Sequence, residues 1–175
     1  MHNDKSLHDY LRGVAIQPGV RRYLEVGCRD GDSLRQIVAN SAVLERIVVC
    51  DMWGSLYGGT GRGNHDHIDA MLNAFAFTGH RLFLDGDSKE LVPTIYDEFD
   101  LVLVDGDHSP AGALADLTHC WALVEPGGQL VFHDICHPAH RELRALFHVF
   151  MDDRPDCDQR HEILEGHGVA IAWKR

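Results

Sequence analysis

A chain of 175 residues, 45% of them hydrophobic, is long enough to bury one continuous core and too apolar for a disordered segment, so a single domain over 1–175 is expected. Its 27 acidic against 16 basic residues give a formal net charge of −11 with no concentrated basic run, which disfavours a nucleic-acid partner. No apolar stretch reaches the length of a membrane span or follows the first residues as a leader would, and a cytoplasmic protein with no membrane partner is the expectation.

In chain order, Ser6 to Val14 has helical spacing and is broken by Pro18-Gly19, and Arg21 to Val26 reads as a first strand running into Gly27. Ser33 to Val43 is helical through Leu34, Ile37 and Val38, and the branched run Arg46 to Cys50 is a second strand ending at Asp51. Gly54 to Asn64 holds five glycines and little hydrophobic pattern, which predicts a long loop before a helix from about 65 to 77. Arg81 to Leu84 is a third strand and Ser88 to Tyr96 a helix. Asp100 to Val104 is a fourth strand whose near-continuous apolar character predicts burial on both faces. Ala111 to Leu123 is helical, Pro126-Gly127-Gly128 a turn, Gln129 to Phe132 a fifth strand, and Pro138 to Met151 a helix with proline near its start. His161 to Leu164 and Val169 to Trp173, on either side of Gly166-His167-Gly168, form an antiparallel hairpin.

Strands alternating with helices imply an α/β fold. The expectation is a Rossmann-like doubly wound sheet, mostly parallel with a C-terminal antiparallel hairpin and with helices on both faces. Ligands of such sheets sit beyond the carboxyl ends of the strands. Gly27, Asp51, Gly86-Asp87-Ser88, Asp105 and His133-Asp134 each follow a strand, which core packing alone does not explain. The hairpin also leaves an edge strand on which a homo-oligomer could pair.

At the turn Glu25-Val26-Gly27-Cys28-Arg29-Asp30-Gly31-Asp32-Ser33, glycine lets the backbone bend tightly and approach a ligand. The spacing is Gly-x-x-x-Gly rather than Gly-x-Gly-x-x-Gly, and Asp30 and Asp32 at the helix start would repel a pyrophosphate, so a cationic ligand fits better. Glu25 could face a ligand ammonium, and Asp51 is placed to accept from two ribose hydroxyls. These residues resemble motif I of the class I S-adenosylmethionine (SAM) methyltransferases, with Asp51 in the place of their ribose-binding acid. The resemblance covers nearly the whole chain. It implies the strand order 3-2-1-4-5-7-6, SAM as cofactor, a place for Ser33 in the same motif, Met52 and Trp53 flanking the adenine, Asp87 and Ser88 reaching its amino group, and Asp105 beside the cofactor.

Asp105, His133 and Asp134 follow adjacent strands and can converge, which makes a divalent-metal site plausible; magnesium, manganese and zinc all stay open. His108, three residues after Asp105, is the candidate general base for a hydroxyl proton. The segment is similar to the metal-dependent O-methyltransferases of catechols and macrolide sugars and to cephalosporin-hydroxylase-like proteins. That similarity implies metal binding at Asp105 and Asp134 and a base at His108, while His133 stands where those proteins usually carry a carboxylate. The opposing reading makes Asp105 and Asp134 polar lining of the cofactor site. Of 13 histidines most are expected to be solvated, His65 and His67 could line a substrate pocket, and Cys136-His137 could add soft zinc ligands. The five cysteines, odd in number and without a Cys-x-x-Cys pair, imply no disulfide framework.

The expectation is therefore O-methylation of a small hydroxylated substrate. Its alternatives are a non-catalytic SAM-binding module, a metal-independent methyltransferase, and a nicotinamide-dependent oxidoreductase, against which the missing Gly-x-Gly-x-x-Gly counts.

Overall fold

A computed structural model describes residues 5–54 and 64–175. Most of the predicted loop from Gly54 to Asn64 lies outside the described residues.

The elements run α1 (Lys5–Ala15), β1 (Arg22–Val26), α2 (Asp32–Asn40), β2 (Arg46–Asp51), α3 (His65–Ala74), β3 (His80–Asp85), α4 (Ser88–Leu91), β4 (Phe99–Val104), α5 (Pro110–Leu123), β5 (Val124–His133), α6 (Leu143–Asp152), β6 (Cys157–Ile163) and β7 (Val169–Lys174). The strands form one sheet in the order β3-β2-β1-β4-β5-β7-β6. The first five are parallel, and β7 runs antiparallel to both β5 and β6. This is the order that the family resemblance implies.

Successive side chains of a strand point to opposite faces, and here both faces are covered. Tyr23, Ile47, Leu101 and Leu103 pack with Leu7, Leu11, Ile37 and Leu72 from α1, α2 and α3. Leu24, Val48, Val102 and Val104 pack with Leu117, Trp121, Phe147 and Met151 from α5 and α6. All six residues of β4 are buried, the physical reason for its uninterrupted apolar run. Among the described residues no helix is long and apolar enough to cross a membrane.

Three elements differ from their sequence expectation. The helix predicted over Ser88 to Tyr96 is one short turn, α4, continued by a 3-10 turn at Val92–Thr94. Pro93 has no N–H to continue the ladder, and the Thr94 hydroxyl donates to the Leu91 carbonyl instead, at 2.7 Å. The helix predicted from Pro138 begins only at Leu143, because tight turns precede it: His140 N–H donates to the His137 carbonyl and Leu143 N–H to that of His140. Pro126-Gly127-Gly128 falls inside β5, where the pairing with β4 shifts register between Phe99 and Leu101.

The turn after β1 shows why glycine is required. Gly27 has φ of +86°, and a Cβ there would lie 2.0 Å from the Asp105 carbonyl oxygen, so no other residue lets β1 and β4 end side by side. Gly31 is left-handed at the start of α2, and a Cβ there would meet Ile68 of α3 at 2.7 Å.

Candidate functional site

The turns after β1, β2, β3 and β4 surround a cavity of about 590 Å³. Gly27 and Arg29 border it from the first turn, Asp51, Met52 and Gly54 from the second, Gly86, Asp87, Ser88 and Lys89 from the third, and Asp105, Gly106, Asp107, His108 and Ser109 from the fourth, with His140 closing one side.

Asp51 organises two of these turns. Its carboxylate accepts from the Arg29 N–H at 2.7 Å and the Trp53 N–H at 2.6 Å. Arg29 and Trp53 both have φ of 50°, a left-handed conformation that costs side-chain-bearing residues free energy and persists where surrounding contacts fix it. Opposite, Asp87 accepts from the Lys89 N–H at 2.9 Å to cap α4. Ser88 donates its hydroxyl to Asp116 at 2.6 Å. Asp116 is 1% exposed, and burial above all raises its pKa.

At the other end of the cavity acids and imidazoles interleave. His108 Nε2 lies 3.3 Å from Asp105 Oδ1 and 3.1 Å from Asp134 Oδ2, and its ring stacks on His140 with centroids 4.6 Å apart. His133 Nδ1 lies 3.1 Å from Asp105 Oδ1 and 3.5 Å from Asp134 Oδ1, and His167 Nδ1 lies 3.3 Å from the same Asp134 oxygen. Burial lowers the His108 pKa, but the carboxylates of Asp105 and Asp134 outweigh it and push it up to about 9. Burial raises Asp105 and Asp134, and the neighbouring imidazoles outweigh that and hold both below the usual carboxylate range. Asp134 Oδ1 is buried and accepts no hydrogen bond. An orphaned carboxylate oxygen facing imidazole nitrogens fits a cation better than it fits a protein donor.

The methyltransferase-domain family matches residues 24–135, from β1 through the turn after β5. The chain belongs to this family. The mycinamicin III 3''-O-methyltransferase of Micromonospora griseorubida is 34% identical over 95 residues, 53% of this chain and 34% of that protein, so the match spans about a third of this curated relative's length. Among solved structures the fold is similar to the O-methyltransferase TomG of Streptomyces achromogenes in complex with SAM, at a TM-score of 0.75 and 20% identity over 97% of this chain and 79% of that one. It is also similar to an O-methyltransferase of Bacillus cereus in complex with S-adenosylhomocysteine (SAH), at a TM-score of 0.73 and 16% identity over 99% of this chain and 83% of that one.

Within this methyltransferase domain, the residues singled out from sequence take different places. Gly27, Asp51, Met52, Asp87, Ser88, Asp105 and His108 border the cavity. Glu25 and Ser33 do not: Glu25 shares the α1–α3 face of the sheet with Tyr23, is fully buried, and accepts hydrogen bonds from the Ser33 and Tyr23 hydroxyls. Gly31 lies beneath the turn against α3, and Trp53, away from the cavity wall, packs half-buried against the α1–α3 core and donates from its indole N–H to Asp85 at 2.7 Å. His133 and Asp134 are 7% exposed each and sit behind Asp105 and His108 rather than on the cavity wall. His65 faces Asp85 at 3.1 Å and stacks on Phe83. Sequence reasoning passed over Asp116, His140 and His167. Asp116 lies in the buried stripe of α5 at helical spacing with Ala113, Leu117 and Cys120, the one signal that could have exposed it.

Proposed function

We propose that the chain is a SAM-dependent methyltransferase that methylates a hydroxyl group of a small molecule. The observation that carries this reading is one cavity bordered at one end by Asp51, Met52, Asp87 and Ser88 and at the other by Asp105 and His108. A nucleoside held at the first end presents its sulfonium to the second.

In this reading Asp51 keeps lone pairs for the ribose hydroxyls beyond the two backbone N–H groups it already accepts, Met52 lies against the adenine, and Asp87 and Ser88 read its amino group. Glu25, Gly31 and Ser33 act from beneath by holding the turn after β1. The substrate oxygen attacks the methyl carbon in line, a C–O bond forms as the C–S pair returns to sulfur, SAH leaves, and the hydroxyl proton passes to the His108 imidazole. Asp105, His133 and Asp134 are the residues that would hold a divalent cation of the magnesium, manganese or zinc class. Such an ion supplies polarisation of the hydroxyl and relieves the carboxylate charge that keeps His108 protonated at neutral pH. A hydroxyl acceptor is supported by the O-methyl transfer for which the mycinamicin relative is named.

The test is transfer of label from methyl-labelled SAM to a panel of sugars, catechols and macrolide glycosides. The expected result is a labelled product, with His108→Ala lowering turnover by roughly 10²–10⁴-fold while SAH affinity holds. SAH binding with no transfer across the panel would overturn the enzymatic reading.

A further inference from the structure

We infer that His133, Asp134 and His167 form a binding site for a divalent transition-metal ion of the zinc class. The inference deepens the metal-assisted reading above and rests on it. It adds a ligand, His167, and replaces an oxygen-rich site by one of two imidazoles and one carboxylate.

The first support is spacing. The ligand atoms of these three residues lie within 4.8 Å of one another. Two of the separations are 3.3 Å, from His167 Nδ1 to Asp134 Oδ1, and 3.5 Å, from His133 Nδ1 to the same oxygen. Bonds of about 2.0–2.1 Å around a tetrahedral ion put neighbouring ligand atoms roughly 3.3–3.4 Å apart. The first edge is at that length and the second lies about 0.1 Å beyond it.

The second support is the orphaned oxygen. Asp134 is 7% exposed, and its buried Oδ1 accepts no hydrogen bond. The imidazoles of His167 and His133 meet it only at ion-pair distance, 3.3 and 3.5 Å, and an ion between the oxygen and the two nitrogens satisfies it more fully. The third is placement. His167 belongs to the turn between β6 and β7, and its carbonyl accepts from the Cys136 N–H at 2.6 Å, tying that turn to the segment after β5. His133 Nδ1 also faces Asp105 Oδ1 at 3.1 Å, and an ion on that nitrogen takes the place of this contact.

A second set, His108, Asp134 and His140, shares the same acid. It uses a different need: His108 Nε2 faces Asp134 Oδ2 at 3.1 Å as an ordinary ion pair, which leaves no orphaned oxygen on that side. Two imidazoles with one carboxylate favour zinc, cobalt or nickel over magnesium, which demands oxygen ligands and sheds water reluctantly.

The experiment is a cobalt(II) titration of the intact protein, read by its ligand-field absorption and chased with zinc, on wild type, His167→Ala and His140→Ala, with SAH affinity measured on each. The expected result is one bound ion per chain, an affinity at least about 100-fold weaker for His167→Ala, and no change for His140→Ala. A cooperative thermal unfolding transition like that of wild type would certify that the variants are folded. No cobalt binding by a wild type that binds SAH, a His167→Ala variant that binds like wild type, or equal losses in both variants would overturn the site. Equal magnesium binding by wild type and His167→Ala, with no cobalt preference, would overturn it while leaving metal assistance at Asp105 and Asp134 in place. A wild type that fails to bind SAH would remove the cofactor reading, and the cobalt result would still decide the site.

Discussion

Glu25 is a carboxylic acid that the fold buries completely beneath the turn it belongs to. Burial raises its pKa to about 8, against the lowering effect of the hydrogen bonds from Ser33 and Tyr23. A carboxyl whose pKa is raised on folding makes stability fall with rising pH: between about 4.5 and 8 the unfolded chain has lost the proton and the folded one keeps it. This one group therefore contributes a slope of about −1.4 kcal/mol per pH unit through that window. Glu25→Gln, neutral at every pH and of the same shape, is expected to remove the slope. Denaturant unfolding of both proteins at intervals from pH 5 to 8 gives their stability difference, and a difference that stays constant with pH would contradict the buried neutral acid. Side-chain direction is what the sequence did not make legible at this scale. Asp51 was legible because a strand end fixes where an acid emerges, whereas Glu25 and Trp53 carry the right chemistry but turn to another face. His140 and His167 were hidden for a related reason, since both sit in turns whose position in space no periodicity records.

Helices and strands were legible wherever burial imposes a period, which is why the elements and both layers of helices follow from the pattern of apolar residues, whereas the strand order came with the family resemblance. They were illegible where proline interrupts or opens a helical pattern. Pro93 converts the end of one expected helix to a 3-10 turn, and the turns after Pro138 delay α6 until Leu143 and thereby bring His140 against His108. The placement of α5 has a consequence for the cofactor end of the cavity. Asp116 reaches from its buried face to accept the Ser88 hydroxyl at 2.6 Å and the Asp107 N–H at 3.4 Å, so one helix positions residues after both β3 and β4. Asp116→Ala leaves these donors without an acceptor and is expected to cost about 1–3 kcal/mol of stability. It is also expected to weaken SAH binding severalfold, while Asp116→Asn, which keeps an acceptor for Ser88, restores most of the affinity. Calorimetric titration with SAH, beside chemical unfolding, separates the outcomes. A stability loss with unchanged affinity in both variants would leave Asp116 a packing group with no positioning role.

The cavity draws its walls from turns on both sides of the point where the strand order reverses, β1 and β2 on one side and β4 on the other. A ligand seated there is held by segments that separate only when the sheet opens, so its binding free energy adds to the stability of the whole domain rather than of one loop. At a SAH concentration 100 times its dissociation constant the gain is about 2.7 kcal/mol. For a chain of this size that corresponds to a rise in melting temperature of roughly 5–11 °C. The same experiment with NAD addresses the rival use of the architecture. Gly27 and Gly31 are spaced for a turn rather than for a pyrophosphate, and the acids Asp30 and Asp32 at the start of α2 oppose a second negative charge. Thermal unfolding with each ligand at matched concentration is therefore expected to show a rise with SAH and none with NAD. The SAH rise should disappear in Asp51→Ala, because removal of that carboxylate takes away both the ribose acceptor and the bond that orients Arg29 and Trp53. A rise with NAD, or a SAH effect that survives in Asp51→Ala, would place the ligand elsewhere on the sheet and undo the assignment of the cavity.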